Sequence, residues 1–408
     1  MLSHEDNDLL TRTGPGTPMG DLMRRYWIPV AYSHQLAGPD CPPIRVKLLG
    51  ENLVAFRNTE GRVGLLDERC PHRTASMFFG RNEECGLRCV YHGWKFDIDG
   101  NCVDLPSEPP GSNFREKIRI KACPCVEQGG VVWTYMGPPE KKPDFPALEW
   151  AELPEDHRFA TRHIQECNWL QGVEGGFDNA HLAFLHRGTG AINQNAIPLK
   201  YEAFETGFGV ICGTGRDAGN GNLRWATDLM IMPFHKIFAT RPNGAHMWVP
   251  VDDETTMLYS IDYYPDRPLD EAVLERSQNW LHIHTENIPG TDLTVQNPRN
   301  DYLIDREWQA TGESFTGIRG LGIQDSAVQE SMGRIADRTI EHLGQSDIAI
   351  ISIRRMLLET LRAFERGEDP PGLNPVDYRA RSTRFELPPD ADYLPEARRQ
   401  LAEQLAEG

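Results

Sequence analysis

The chain has 408 residues, of which 39% are hydrophobic and 25% charged, a composition typical of a globular protein with two or three domains. Its net charge of −18 disfavours nucleic acid and anionic membranes as partners, because both would repel it. No apolar run approaches the roughly 20 residues that cross a bilayer, and no signal-peptide pattern opens the sequence, so we expect a cytoplasmic protein. Nine cysteines are too sparse for a disulfide scaffold, which makes paired cysteines candidates for metal binding.

The predicted elements of the first part are mostly strands. A short helix over 17–27 leads into an extended segment, and the pattern from 44 to 137 is mostly strand, with a hairpin turn at Asp99–Gly100. Residues 137–150 contain four prolines and no periodicity, which indicates a linker. We therefore predict a β-rich first domain with an N-terminal extension over 1–150 and a second domain over 151–408.

The second domain is predicted to combine strands with helices. A strand leads into a helix over 161–186, and several strands follow over 199–264. Helices are predicted over 270–288 and 325–366, where apolar residues recur at helical spacing, and the proline-rich tail from Gly367 is predicted to be irregular. Strands followed by helices indicate an α+β fold rather than a wound parallel sheet.

Two cysteine–histidine pairs have the spacing of metal ligands. Cys70 and His72 are two positions apart, Cys89 and His92 are three apart, and sixteen residues separate the pairs. Two thiolates and two imidazoles can hold either a zinc ion or a [2Fe-2S] cluster in which histidines replace two cysteines on one iron, and spacing alone does not choose. The second loop continues with Gly93 and aromatic residues suited to covering a cluster, which favours that reading over zinc.

The run CPHRTASMF...CVYHGWKFDIDG, which begins at Cys70, is similar to the Rieske domain of bacterial Rieske non-haem iron oxygenases, the ring-hydroxylating enzymes. The resemblance extends over nearly the whole chain, and the segment from Gln329 to Gly344 resembles the phthalate dioxygenase branch. It implies a Rieske [2Fe-2S] domain followed by an α+β catalytic domain, with helices on an antiparallel sheet of the helix-grip, START-like type.

A second constellation lies downstream, where His181 and His186 are five positions apart and Asp178 precedes His181 by three. Positions five apart diverge by roughly 140° on a regular helix, so the helix must loosen or end if both imidazoles bind one ion. Two histidines and a carboxylate form the facial triad that leaves positions open on Fe(II). The pattern D-x-x-H-x4-H matches the family's catalytic motif, which implies His181 and His186 as iron ligands. The same resemblance implies that Asp178 bridges from His181 to a Rieske histidine of the neighbouring subunit.

The third iron ligand lies between two candidates. By resemblance, it is an aspartate well over a hundred residues downstream that commonly follows an acidic or amide residue and precedes a glutamate by five, and Asp325 fits this pattern. Asp347 is the rival, although it also suits the first turn of a helix, with Ser346 as N-cap. Arg216 and Arg241 are candidates for binding a substrate carboxylate, since arginine offers a bidentate fork in an otherwise apolar pocket.

The resemblance implies a terminal oxygenase component that uses O2 to dioxygenate an aromatic carboxylate such as a phthalate, a chlorobenzoate or a phenoxybenzoate. Monooxygenation or O-demethylation of a related aromatic substrate stays open within this class. Electrons would come from a flavin and [2Fe-2S] reductase that oxidises NAD(P)H, so NAD(P)H acts only indirectly, and the homo-oligomer would be a trimer or stacked trimers. The alternatives from other classes are a non-catalytic Rieske electron-transfer protein and a zinc-binding module.

Overall fold

The computed structural model describes residues 1–188, 197–238 and 243–407. The chain divides into a smaller compact unit, formed by Gly14–Gly16 and Met23–Pro143, and a larger one, formed by Met1–Thr13, Thr17–Leu22 and Asp144–Gly408. The N-terminal residues, assigned above to the first domain, thus group with the larger unit, and the domain boundary at residue 150 stays a prediction. No helix among the described residues is long and apolar enough to cross a membrane.

Eleven short strands of the smaller unit form three antiparallel sheets. Their bounds in chain order are β1 Trp27–Tyr32, β2 Ile44–Leu48, β3 Glu51–Arg57, β4 Val63–Asp67, β5 Arg81–Glu83, β6 Gly86–Arg88, β7 Lys95–Phe96, β8 Cys102–Asp104, β9 Ala122–Cys123, β10 Cys125–Gln128 and β11 Val131–Tyr135. The sheets have the orders β1-β11-β10, β2-β3-β4-β9 and β5-β6-β7-β8. Apolar strand residues such as Val54, Phe56 and Leu87 are buried together in one core. The loop after β4 and the loop after β6 both start from strands that pack in this core.

An eight-stranded antiparallel sheet dominates the larger unit. Its strands are β12 Arg158–Gln165, β13 Lys200–Glu205, β14 Gly209–Asp217, β15 Leu223–Ile231, β16 His235–Phe238, β17 Asn243–Asp252, β18 Thr255–Tyr263 and β19 Arg384–Leu387. The order is β12-β18-β17-β16-β15-β14-β13, and β19 also pairs with β15. β16 pairs with the second half of β15 and β19 with its first half, so the two strands share one side of β15.

The α-helices of the described residues belong to the larger unit, except that Met23, the last residue of the second helix, belongs to the smaller one. They are α1 His4–Thr11, α2 Pro18–Met23, α3 Glu149–Glu152, α4 Trp169–Phe177, α5 Glu271–Gln278, α6 Arg306–Thr311, α7 Leu321–Ser331, α8 Ile348–Glu365 and α9 Tyr393–Glu407. The longest, α8, buries the apolar stripe Ile350, Ile353, Leu357 and Leu361, whose spacing of three or four residues is that of one helix face. The fold is α+β, as predicted.

Three segments differ from the prediction. The helix predicted over 270–288 ends at Gln278, and the one over 325–366 is interrupted between Ser331 and Ile348, where Gly333 has a φ of 93°. Ile340 consequently lies outside any helix and is 69% exposed. The tail is not irregular, because it contributes strand β19 to the sheet and ends in helix α9.

Candidate metal centres and substrate cavity

Two tight loops of the smaller unit bring the predicted cysteine and histidine ligands together. The Cys70 carbonyl accepts from Thr74 N at 2.9 Å, and the Cys89 carbonyl accepts from Gly93 N at 3.0 Å. Gly93 has a φ of 78°, a left-handed conformation that a residue without Cβ adopts at little cost. The two loops are therefore built alike, each closing a turn over its own cysteine.

Thiols and imidazoles converge between the two loops. Cys70 and Cys89 are 1% and 2% exposed, and burial together with the neighbouring Cys89 thiol raises the pKa of Cys70 to about 11. The His72 and His92 rings have centroids 4.4 Å apart, and the His72 ring stacks on Trp94 at 4.3 Å. His72 Nδ1 is buried with no hydrogen-bond partner among the described residues. An electron pair left unused in this way suits a metal ligand, so the four side chains can hold a metal group.

The second set of predicted ligands lies beyond the end of α4 in the larger unit. α4 ends at Phe177 with Asp178 as its C-cap, and a 3₁₀ turn follows over His181–Ala183. This change of helix type lets the imidazole rings of His181 and His186, five positions apart, converge on one site. His181 Nε2 and His186 Nε2 lie 3.2 Å apart.

Asp325, on α7, completes this cluster. Its Oδ1 lies 3.4 Å from His181 Nε2 and 3.2 Å from His186 Nε2, and the three ligand atoms lie within 4.8 Å of one another. Asp347 is not in the cluster, because it lies at the start of α8 and accepts a hydrogen bond from Gly344 N at 2.7 Å. Two imidazoles and one carboxylate are the donor set of a mononuclear Fe(II) site with open positions.

Neighbouring groups fix the charge of these ligands. Burial lowers the pKa of His181, but hydrogen bonds and charges from Asp178 and Asp325 outweigh it and raise the pKa to about 9. Burial raises the pKa of Asp325, but His186 and His181 outweigh it and hold the carboxyl well below its usual range. The pKa of Asp178 is lowered as well, because its interaction with His181 outweighs burial. Asp178 Oδ2 lies 3.6 Å from His181 Nδ1, on the side of the ring away from the cluster.

A partner of His186 was missed from the sequence. Gln324 Oε1 accepts from His186 Nδ1 at 2.8 Å, while Gln324 Nε2 donates to Thr316 Oγ1 and to the Ile318 carbonyl. Metal-binding histidines usually donate their second ring nitrogen in this manner, which leaves the other nitrogen free for the metal. In the sequence, Gln324 stood out only as the amide residue before Asp325. Its contact with His186 depends on tertiary structure and could not be predicted.

The cluster of His181, His186 and Asp325 faces a cavity of about 540 Å³ whose other wall is one face of the eight-stranded sheet. Cross-strand partners in the register point to the same face, so alternate residues of each strand line the cavity. This cavity face carries Thr214, Arg216, Arg224, Ala226, Asp228, Lys236, Phe238, His246, Trp248, Leu258 and Arg384. The apolar side chains lie on β16, β17 and β18, whereas the arginines lie on β14, β15 and β19.

Three arginines line one part of this wall. Arg216 donates to Thr214 Oγ1 at 2.9 Å, and burial lowers its pKa, with a smaller contribution from the charge of Arg384. Arg384, on β19, is the cross-strand partner of Ala226 on β15. Arg224 forms an ion pair with Glu386 at 3.1 Å. Arg384 was missed from the sequence because the tail was expected to be irregular. Arg241 lies outside the described residues.

An electron carrier needs only the first set of ligands. Two imidazoles and a carboxylate beside an enclosed cavity are the arrangement of non-haem iron enzymes that activate oxygen next to a bound substrate. The two ligand sets and the cavity thus define an oxygenase that combines a cysteine–histidine metal group with a mononuclear iron.

Comparison with known proteins gives the family. The Rieske [2Fe-2S] domain model matches residues 26–125, and the model described as LigXa C-terminal domain like matches residues 134–194 and 230–383. The chain belongs to the Rieske non-haem iron oxygenases, and it is 38% identical to the 3-chlorobenzoate-3,4-dioxygenase oxygenase subunit of Comamonas testosteroni, over 95% of this chain and 96% of that one. It is 37% identical to the phthalate 4,5-dioxygenase oxygenase subunit of Pseudomonas putida, over 90% and 88%.

A solved structure shares the fold. Dicamba monooxygenase bound to dicamba superposes with a TM-score of 0.58 at 18% identity, covering 85% of this chain and 99% of that chain. The predicted family, fold class, enzyme class and the two cofactors, a Rieske [2Fe-2S] cluster and a mononuclear iron, are confirmed. The zinc module and the non-catalytic electron carrier are excluded by the same matches. The chain is the oxygenase subunit of a multicomponent system.

Proposed function

We propose that the enzyme oxygenates an aromatic carboxylate, whose carboxylate binds at the arginines of the cavity and whose ring lies against the apolar part of the sheet. The observation that carries this proposal is the position of Arg216 and Arg384 on the same face of the sheet as the apolar wall. Both residues are in a part of the cavity formed by β14, β15 and β19. Phe238, Trp248 and Leu258, on the adjoining strands, provide an aromatic and aliphatic surface for a ring.

Electrostatics supports an anionic substrate. Burial lowers the pKa of Arg216, and the charge of Arg384 adds a smaller contribution in the same direction, so the two guanidinium groups disfavour each other's charged form. A carboxylate bound between them would offset this repulsion and could accept two parallel hydrogen bonds from one guanidinium group. The two relatives compared above are named for chlorobenzoate and phthalate, which are both aromatic carboxylates.

We also propose the residues that hold the two metal groups. Cys70, His72, Cys89 and His92 bind the cluster, and His181, His186 and Asp325 bind the iron. When bound, the cluster supplies electrons and the iron supplies the site at which oxygen is activated.

The residues around these ligands set their protonation and orientation. The Asp178 carboxylate lies 3.6 Å from His181 Nδ1, and Gln324 accepts a hydrogen bond from His186 Nδ1, so both Nε2 atoms face Asp325. We propose that Asp178 also contacts a cluster histidine of a neighbouring subunit and so forms the electron path. This role makes the active form a homo-oligomer, a trimer or stacked trimers. A flavin and [2Fe-2S] reductase that oxidises NAD(P)H would supply the electrons, and a cytoplasmic location stays a prediction.

Product analysis tests the substrate class. The purified oxygenase, supplied with a reductase and NADH, is incubated with benzoates, phthalates and phenoxybenzoates and with the methyl ester of each. Carboxylates should be consumed and their esters should not, because an ester lacks the charge that the arginines bind. Equal turnover of acids and esters would refute the proposal.

Isotope labelling tests the reaction type. Dioxygenation with 18O2 places two labelled atoms in a cis-dihydrodiol, which is the outcome we expect. A single labelled atom in a phenol or in a released aldehyde would instead identify monooxygenation or O-demethylation.

A further inference from the structure

A buried ion pair lies in the sheet beneath the turn that carries Asp178. Lys236 Nζ lies 3.3 Å from Asp228 Oδ2, and the two side chains are 11% and 12% exposed. They occupy diagonal positions on β15 and β16, on the cavity face, where such neighbours are within reach of long side chains. Removing two charges from water is unfavourable unless further hydrogen bonds satisfy them. The ion pair should therefore form further hydrogen bonds with neighbouring groups.

Both charged groups bind the segment on either side of Asp178. Lys236 Nζ donates to the carbonyl of Gly176, which lies two residues before Asp178. Asn179, the residue after Asp178, donates from Nδ2 to Asp228 Oδ2 at 2.9 Å. The ion pair thus holds the chain at two points that enclose the proposed electron bridge.

Lys236 also completes the end of helix α4. The last carbonyls of a helix have no partner within the helix and favour a nearby cation. The last turn of α4, all of it described, contains no basic residue of its own. Lys236, which comes from β16, supplies this cation, and its ammonium lies 5.2 Å from the centroid of the Phe177 ring.

The helix before the turn is packed against the same sheet with no room to move closer. A Cβ atom added at Gly172 or at Gly176 would lie 2.1 or 2.2 Å from the Trp248 ring on β17. Such distances are impossible without a shift of the helix or the ring. The glycines therefore fix the height of α4 above the sheet, and the ion pair fixes the turn that follows it.

We propose that Lys236 and Asp228 are positioning residues for the electron-transfer turn, defined as residues 176–179. They hold the turn so that Asp178 lies beside His181 Nδ1, and they do so without contacting an iron ligand. This inference depends on the bridging role proposed above for Asp178. It assigns to two cavity residues a role in electron delivery rather than in substrate binding.

Four variants separate the contacts. Asp228→Asn and Lys236→Met each remove one charge, the double variant removes both, and Asn179→Ala removes one hydrogen bond while the ion pair stays. The double variant is needed because a single buried charge left without its partner can prevent folding. Arg355→Met is the matched control, since Arg355 and Glu205 form a 2.8 Å ion pair between α8 and β13, on the surface and outside the cavity. Asp178→Asn is the reference for a lost bridge.

Two measurements are made on every variant. The first is amide hydrogen exchange of the peptide covering 176–183 in iron-free protein, which reports the order of the turn without any activity. The second is the rate at which the reduced cluster is oxidised in a single turnover, together with iron content and KM. We expect faster exchange, unchanged iron content and KM, and oxidation of the cluster slowed by about tenfold or more, because a shift of about 1 Å in a positioned group can reduce a rate by about a hundredfold.

The outcomes distinguish the two proposals. Wild-type exchange and cluster oxidation in the double variant and in Asn179→Ala, with Asp178→Asn impaired, would overturn the positioning role and leave the bridge intact. An increase in KM at an unchanged rate of cluster oxidation would show that Lys236 and Asp228 bind substrate instead. Wild-type behaviour of Asp178→Asn would overturn the bridge and this inference with it.

Discussion

Replacing Gln324 with leucine should weaken Fe(II) binding without removing any ligand. Gln324 is 1% exposed, and its Oε1 lies 2.8 Å from His186 Nδ1. Its Nε2 is held by Thr316 Oγ1 at 3.0 Å and by the Ile318 carbonyl at 2.8 Å. Because the Ile318 carbonyl can only accept, the amide nitrogen must face it, and the amide oxygen therefore accepts from His186 Nδ1. A proton on Nδ1 leaves His186 Nε2 available as the ligand atom of the proposed iron site.

The size of the effect follows from these contacts. Leucine has a similar volume, so the substitution removes hydrogen bonds without opening a large cavity. It removes the Gln324 oxygen that accepts from His186 Nδ1 and the Gln324 nitrogen that donates to the Ile318 carbonyl, and the loss of a buried hydrogen-bond partner costs about 1–3 kcal/mol. Loss of such a partner of a metal-binding histidine typically weakens metal binding by about 10- to 100-fold. We therefore expect the Kd for Fe(II) to increase by roughly that factor.

The assay is an anaerobic Fe(II) titration of chelator-treated protein against a competing chelator, with the cluster spectrum as an internal control. Gln329→Leu is the matched variant. Gln329 is a buried amide on the same helix whose Oε1 accepts from Gln165 Nε2 at 2.9 Å rather than from an iron ligand. If the two variants have the same Kd as the wild type, Gln324 does not orient His186 and the reasoning is wrong.

Three further predictions concern the electron path, the substrate and the stability of α4. Asp178→Asn should retain both metals and lose nearly all coupled turnover, measured as product formed per NADH oxidised, and full activity would exclude the bridge. Arg216→Gln should raise KM for an aromatic carboxylate by about 10- to 100-fold, the value of a lost charge-assisted hydrogen bond, and an unchanged KM would place the carboxylate elsewhere. Glu174→Gln should lower the free energy of unfolding by about 3–5 kcal/mol, because Arg338 loses its buried carboxylate partner, while Arg354 loses one of two and keeps Glu341. Burial raises the pKa of Glu174, but these arginines outweigh it and hold the pKa below 4.5, so this stabilisation is present above about pH 4.5 and is lost as the pH falls through the lowered pKa. Urea titrations of both proteins over the acid range check this, and equal acid sensitivity would contradict it.

The proposed cluster-binding residues could be predicted because the cysteine and histidine of each loop are close together in the sequence. Each loop places one thiol and one imidazole within a single turn, so spacing and residue type identify the ligand set. What spacing could not decide was zinc or cluster, since both accept two thiolates and two imidazoles. The choice depended on resemblance over the following residues, and the family match settled it.

The residues of the proposed iron site could be predicted only in part. The five-residue spacing of His181 and His186 required a helix end, and the structure has one at Phe177. Asp325 and Asp347 both lie in helical segments of the C-terminal half, and in the sequence only the resemblance to the family's motif favours Asp325. Only tertiary structure brings Asp325 to the histidines, and Gln324 to the other side of His186.

Contacts set by sheet register were not predictable at all. Arg384 reaches the cavity because β19 pairs with β15, more than 150 residues earlier, and the prolines of the tail concealed this strand. Lys236 reaches Asp228 through the register of β15 and β16. Composition and periodicity describe single elements, whereas these contacts depend on which elements become neighbours.

The separation between the sheet and the iron ligands affects how the enzyme can be redesigned. The ligands come from the turn after α4 and from α7, whereas much of the cavity wall comes from alternate residues of the strands. Thr214, Ala226 and Leu258 occupy wall positions that neither bind iron nor hold the turn. Larger or smaller residues there should select rings of different size and leave the oxygen chemistry in place, so directed evolution of substrate range has an obvious starting set.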